Sequence, residues 1–404
     1  MIVSTAGPVD FAPYDRQFAA DPYAVYAQLR ERSPIFYSHE LGITLVARHR
    51  DIRSLLVDGR LGREATGEKA QSGRWDHLPN YNRYVRVNLL EKEGVDHTRL
   101  RRLVSAALDP RRVRELRGRI EGLVAELLDA VTIEGRMDFL ADLAVPLPVH
   151  MIAELLGWPA EERHRLRPWS AQIVRLYEKD YSQEDEDRAE TATSEFATAL
   201  AELAERRRVE PRDDLISALV SIRDQGDKLS PDELISTCML LLNAGHEATV
   251  NAAGNGLLAL INHPGQLARL REQPSMIAAA IEEMLRFDAP LQLFHRFVLG
   301  DLRHGEVDFA QGDTVGLLFG SGNRDPEAFE RADEFDIARK SNRHLAFGVG
   351  THFCLGAPLA RLELEVLFTA LLRRFPRIEL DGPPPEHRPG LVFRGLKELR
   401  VRWT

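Results

Sequence analysis

The chain has 404 residues, 44% hydrophobic and 28% charged, enough apolar material for a large packed core in a globular protein. Its 62 acidic residues outnumber 53 basic ones, for a net charge of −9 that argues against a nucleic-acid binder, and its two cysteines exclude a disulfide framework. Residues 1–20 lack the basic start and apolar run of a secretory signal, and no stretch reaches the roughly 18 apolar residues of a membrane span, so a cytoplasmic protein without a membrane partner is expected. No Gly/Ser-rich or Pro-rich linker, low-complexity tract or internal repeat divides the sequence, and we expect a single domain over residues 1–404.

Asp21-Pro22 reads as an N-cap followed by a first-turn proline, with Tyr23, Tyr26, Ala27 and Leu29 at helical spacing before Ser33-Pro34. Residues 35–37 and 43–47 read as a β-hairpin, and 49–57 as a short helix. From Arg60 to Gly94 periodicity disappears, so Trp75, Tyr81 and Tyr84 lie on either a surface excursion or the lining of a substrate entrance. A helix opens at His97, setting His97 and Arg101 on one face; taken alone, this is an arginine-rich solvated face. Arg111, Arg112, Arg114, Arg117 and Arg119 form a basic cluster, either solvated or a docking patch for an acidic partner. Helices follow at 145–156, 159–176, 187–208 and 213–223, the acidic stretch 178–186 joining the second to the third.

Ser230-Pro231-Asp232-Glu233 combines an N-cap, a first-turn proline and a capping-box glutamate, and it opens a long helix. Residues 235–242 are nearly all apolar, as in a helix crossing a protein interior, and Cys238 among them reads as a small buried hydrophobe. Ala244-Gly245-His246-Glu247-Ala248-Thr249 then interrupts the apolar run, and burying such groups is costly without partners. On residues alone, this is either a kink with a hydrogen-bonded core glutamate or a functional groove. Glu283 and Arg286 lie three apart on a helix over 276–287 and form an ion pair of a common kind. His344 to Glu365 sets Cys354 between a glycine-rich turn and a helix started by Ala357-Pro358. Unpaired N–H groups and the positive helix end favour a thiolate there, making Cys354 the candidate metal ligand; alternatively it is a buried, inert cysteine. With no second Cys-x-x-Cys pair or His-x-x-x-His run, a closed zinc site lacks its ligands.

The order Phe347, Gly348, Gly350, His352, Cys354, Gly356 resembles the cysteine-ligand loop of the cytochrome P-450 (haem-thiolate monooxygenase) family, soluble bacterial type. The resemblance extends from about Asp21 to terminal strands over 391–402, and it casts residues 291–298 as the strand that passes the haem edge. It implies a mainly α fold with small β-sheets and one haem b between the long central helix and the Cys354 loop. It casts His97, Arg101, Arg296 and His352 as partners of the haem propionates, and Glu283 with Arg286 as a buried structural pair supported by Arg339. Gly245 would leave a groove beside the iron at a local helix distortion, with Glu247 as the acid of proton delivery. Three departures stand out: residues 91–96 replace the usual acidic-Pro-Pro lead-in, Glu334 stands where an arginine is expected before Phe335, with Arg339 as its replacement, and Ala248 stands where the threonine after the acid is expected, an alcohol appearing only at Thr249.

The implied function is an oxygen-activating monooxygenase that hydroxylates or epoxidises a small molecule, its electrons coming from NAD(P)H through a ferredoxin or similar partner. A peroxide-using or rearranging haem-thiolate enzyme and a haem gas sensor or carrier are the alternatives, and a carrier needs neither Glu247 nor the groove. Gln172, Leu176, Asn243, Ala244, Gln292, Leu293, Phe294 and Phe393 match substrate-contact regions, and their side chains suit a neutral, largely apolar ligand.

Overall fold

The structure, a computed structural model, describes residues 9–65, 75–85, 88–105, 110–178, 180–224 and 229–403. Most are helical, and the strands are short. They fall into two compact units, one of Met1–Gly62, Glu115–Val145 and Ala248–Thr404, the other of Arg63–Arg114 and Pro146–Glu247. The longest helix, Pro231–Asn262, is unbroken and contributes its first part to the second unit and its remainder to the first. Among the described residues no helix is long and apolar enough to cross a membrane.

In the first unit the strands are β1 (Ile35–Ser38), β2 (Ile43–Val46), β3 (Leu61–Gly62), β4 (Arg136–Asp138), β5 (Leu293–Val298), β6 (Leu302–His304), β7 (Val307–Phe309), β8 (Thr314–Leu318), β9 (Ile378–Leu380) and β10 (Arg400–Trp403). Five of them make one sheet in the order β1-β2-β8-β5-β3. β1 and β2 are the expected hairpin, with Ile35 opposite Val46 and Ser38 opposite Ile43. β8 runs parallel to β2 and antiparallel to β5, placing Leu293 opposite Leu318 and Phe297 opposite Thr314. The sheet closes around Gly316, where a Cβ would meet Leu45 Cδ2 at 2.5 Å and Leu293 Cδ1 at 2.9 Å. Leu45, Val46, Val315, Leu317 and Leu318 are completely buried, each such side chain worth about 1.5–3 kcal/mol, so β5 is held on a rigid base.

Several elements depart from expectation for identifiable reasons. The aperiodic stretch 60–94 contains β3 and a seven-residue helix, Pro79–Val85, too short to show a period. Tyr81 and Tyr84 are buried on that helix, and Trp75 packs edge-on against Tyr81 at 5.3 Å. The expected helix 159–176 is split into a 3-10 segment, Ala160–Arg165, and a helix, Leu166–Arg175. Pro168 explains the split, since proline is tolerated only in a first turn. The acidic joiner 178–186 instead supplies a helix start: Ser182 and Asp185 form a capping box, and the helix Gln183–Val209 begins with acidic residues that suit its positive end. The strands expected over 391–402 reduce to β10 and two isolated bridges, Leu291 to Phe393 and His387 to Leu396. At the long helix, Glu233 N–H donates to Ser230 Oγ at 3.1 Å and Ser230 N–H to the Glu233 carboxylate at 2.8 Å, the capping box legible in the sequence.

Candidate functional site

The loop before Cys354 is locked by its backbone. Gly348 and Gly350 have φ of 67° and 81°, and Gly348 N–H donates to Leu345 O at 2.8 Å. A Cβ on Gly350 would stand 2.9 Å from the Leu56 carbonyl oxygen. Cys354 N–H returns to Phe347 O at 2.9 Å, and the helix Ala357–Arg374 starts three residues later with Pro358 in its first turn. The result is an exposed Cys354 thiol, with Gly356 close enough that a Cβ there would lie 3.9 Å from Sγ. His352 is half-buried two residues away.

Behind the loop, Glu283 and Arg286 have no exposed surface, and Arg286 Nε and Nη2 donate to the Glu283 carboxylate at 2.8 Å each. Arg286 spends its other donors on the carbonyls of Asn323, Ala332 and Glu334. Asn342 Nδ2 also donates to Glu283, and Leu345 N–H is held by Asn323 Oδ1 at 2.7 Å, so the pair anchors the chain that leads into the cysteine loop. Position 334 acts through its carbonyl, which explains why a glutamate there, paired outward with Arg331 at 2.9 Å, serves as well as the expected arginine.

On β5, Arg296 is buried and lies 4.8 Å from the centroid of the half-buried Phe294 ring, while Leu293 is buried in the sheet. Gln292 is only 3% exposed, and its amide donates to Ala289 O at 2.7 Å and to Tyr23 Oη at 3.3 Å. Phe393 is half-buried and bridges to Leu291.

On the long helix Ala244 is exposed and Glu247 and Ala248 are half-buried, so one face carries two alanines four apart with the carboxylate beside them. Thr249 is 7% exposed, and Asn243 is buried with its Oδ1 unpartnered. The expected local distortion is not found, the helix being α throughout. Gly245 does not leave an empty groove toward the Pro146–Leu156 helix either: a Cβ there would meet Ile152 Cδ1 at 2.9 Å, so the glycine serves close helix packing. His246 is buried, its Nε2 3.8 Å from the Glu247 carboxylate and its Nδ1 3.1 Å from Leu242 O. Cys238 is fully buried, which pushes its thiol up to about 12 and keeps it protonated and inert.

In the second unit His97 is buried and Arg101 half-buried on the helix Gly94–Ser105. Gln172 is half-buried and Leu176 buried at the end of Leu166–Arg175. Arg111 and Arg114 lie on Pro110–Glu115, whereas Arg117 begins the next helix and pairs with Glu365 at 2.8 Å; the side chain of Arg112 lies outside the described residues.

Sequence reasoning missed one cluster beside the cysteine loop. Glu282 receives two bonds from Arg361, at 2.6 and 2.8 Å, and one from His344 at 3.1 Å. Nothing local marks these residues, which come from three separate segments.

The donor chemistry fits a metal carried within a macrocycle. Among the described residues no three His, Cys, Asp or Glu side chains gather to cage an ion. One exposed thiol on a loop whose turns are made by Gly348 and Gly350 can still serve as the sole protein ligand of an iron porphyrin.

The family model described as cytochrome P450 matches residues 149–398. The polyketide biosynthesis cytochrome P450 PksS of Bacillus subtilis is 39% identical over 97% of this chain and 98% of its own length. The 6-deoxyerythronolide B hydroxylase of Saccharopolyspora erythraea is 39% identical over 95% of this chain and 96% of its own. Among solved structures, P450BioI in complex with hexadec-9Z-enoic acid ligated acyl carrier protein superimposes with a TM-score of 0.89 at 36% identity, covering 96% of this chain and 99% of that one.

Proposed function

The chain belongs to the cytochrome P450 family, and from that premise we propose that it inserts one oxygen atom of O2 into a small, largely apolar substrate by hydroxylation or epoxidation. When bound, haem b supplies the oxygen-activating iron, with O2 as cosubstrate and electrons drawn from NAD(P)H through a redox partner. A ferredoxin is our assignment for that partner. Cys354 is the single protein ligand, supported by its exposed thiol on a loop locked by Gly348 and Gly350; this observation carries the reading. His97, Arg101, Arg296 and His352 take the haem carboxylates, for which arginine's planar fork is suited. We read residues 1–404 as a single domain, since no linker, low-complexity tract or repeat divides the sequence.

The helix face of Ala244, Glu247 and Ala248 supports the proton chemistry. Thr249 is buried, and in an unbroken α-helix one step turns a side chain by about 100°, so its hydroxyl points away from that face. A water held by Glu247, or a hydroxyl of the substrate, completes the proton path in place of the absent alcohol. Asn243, Ala244, Leu293, Phe294 and Phe393 form the substrate contacts, with Gln292 acting from behind. The relatives named for polyketide biosynthesis and 6-deoxyerythronolide B hydroxylation support a natural-product substrate.

The test is spectroscopic. Reduced protein with carbon monoxide should show the red-shifted Soret band of a thiolate-bound haem, and Cys354→Ser should abolish it; its absence in the wild type sinks the reading. Turnover with a ferredoxin and its reductase, compared with peroxide alone, separates a monooxygenase from a peroxygenase. Apolar natural products should shift the Soret band to the blue.

A further inference from the structure

Arg361 is in the second turn of the helix that follows Cys354, and a helical side chain leans back toward its own N-terminus, here toward the cysteine loop. Its guanidinium lies 4.4 Å from the centroid of the Phe347 ring. Phe347 is the residue whose carbonyl oxygen accepts the Cys354 N–H. The guanidinium is fixed there by the two-pronged bond to Glu282, whose Oε2 also meets His344 Nε2. Ala346 N–H donates to His344 Nδ1 at 3.2 Å, so Nε2 carries the proton and donates to Glu282. Burial pushes the Glu282 carboxyl up, but the Arg361 and His344 bonds prevail and hold it down to about 2. Glu282 is therefore charged at any working pH. Arg361 is held above its ordinary value first by the Glu282 bond, against burial, and also by negative charge at Cys354.

A permanent positive charge thus sits against the aromatic ring that flanks the candidate iron ligand, with its countercharge behind it. We propose that Arg361, held by Glu282 against Phe347, is a positioning residue that moderates how strongly the Cys354 thiolate donates to iron and so sets the reduction potential of the haem. This rests on Cys354 being that ligand. Protein charges and hydrogen bonds around a ligating sulfur are established determinants of redox potential. Because the pair is fixed before any partner arrives, the effect belongs to the isolated protein.

The experiment is an equilibrium spectroelectrochemical titration of haem-loaded wild type, Arg361→Gln, Arg361→Met, Arg361→Lys and Glu282→Gln, with small-molecule mediators and no protein partner. Loss of the positive charge in Arg361→Gln should shift the potential in the negative direction, and Arg361→Met, which keeps a stem of similar length, should follow it if the first variant loads poorly. Arg361→Lys should remain near wild type. Glu282→Gln leaves the positive charge uncompensated and should shift the potential in the positive direction. Opposite signs are what a charge effect requires, whereas a packing defect moves both variants the same way. Potentials that do not move, or that move in one direction for both, overturn the proposal. A wild type without the thiolate-type carbon monoxide band instead overturns the assignment of Cys354, so the two failures are distinguishable.

Discussion

Arg339 donates its Nε proton to both oxygens of Glu283, at 3.2 and 3.0 Å, from a loop 56 residues further along the chain. Glu283 thereby serves two guanidiniums at once, those of Arg286 on its own helix and of Arg339. Removing one member of a buried ion pair leaves a charge without compensation, which costs about 3–5 kcal/mol. Glu283→Ala strands two cations and should lower the unfolding free energy by at least that range, with loss of haem loading, as read by denaturant titration and haem content. Arg286→Lys should also be costly, since an ammonium cannot reproduce the fork that reaches Glu283 and three carbonyls. Wild-type midpoints in these variants would show that the brace carries no stability.

Glu363, on the helix after the cysteine, is 1% exposed and its Oε1 has no partner, so burial pushes its carboxyl up to about 8 from the usual 4.5. Below the unfolded value both states hold the proton and nothing is lost. Between the two values only the unfolded chain releases it, so this group reduces stability by about 1.4 kcal/mol for each pH unit until the folded value is passed. Glu363→Leu should therefore gain on wild type as pH rises from 5 to 8 and match its slope above that. Parallel stability curves for the two proteins would show that Glu363 is ionised in the folded state.

Gly350 combines a φ of 81° with a Cβ position 2.9 Å from the Leu56 carbonyl. Gly350→Ala must bear the left-handed backbone and push two backbone segments apart, together about 1–3 kcal/mol. The expected outcome is a lower melting temperature with reduced haem content. Gly118→Ala, which meets nothing within 4 Å and lies in the helix Arg117–Val131, should leave haem content unchanged and should not lower the melting temperature.

Thr249→Ala should leave product formed per NAD(P)H nearly unchanged, because the hydroxyl is buried away from the face bearing Glu247 and Ala248. Glu247→Ala should slow oxygen activation by about 10²-fold, the lower end of what a positioned acid contributes. Coupling that collapses in Thr249→Ala, with peroxide released, would make Thr249 the working alcohol.

The chemistry of the cysteine loop and the capping box at Ser230 were legible in the sequence because each is written within a few consecutive residues, and backbone conformation responds first to neighbours along the chain. The hairpin of β1 and β2 was legible for the same reason. The segments that resisted were those whose length or partner lay elsewhere. The helix over Pro79–Val85 is too short to display a period, and the local Ser182–Asp185 box was obscured by the acidic run around it. Gly245 illustrates the limit from the other side. Its place among buried residues was plain, but only tertiary packing decided that Ile152 fills the space above it. Glu282, His344 and Arg361 carry no local signal at all, for an ion pair depends on distance in space, and the 79-residue separation of Glu282 and Arg361 is closed only by the packing of two helices. Sequence by itself determined which atoms are available to hold a haem, whereas the tertiary structure decided which charges stand beside them, because electrostatic energy falls with separation through space and takes no account of order along the chain.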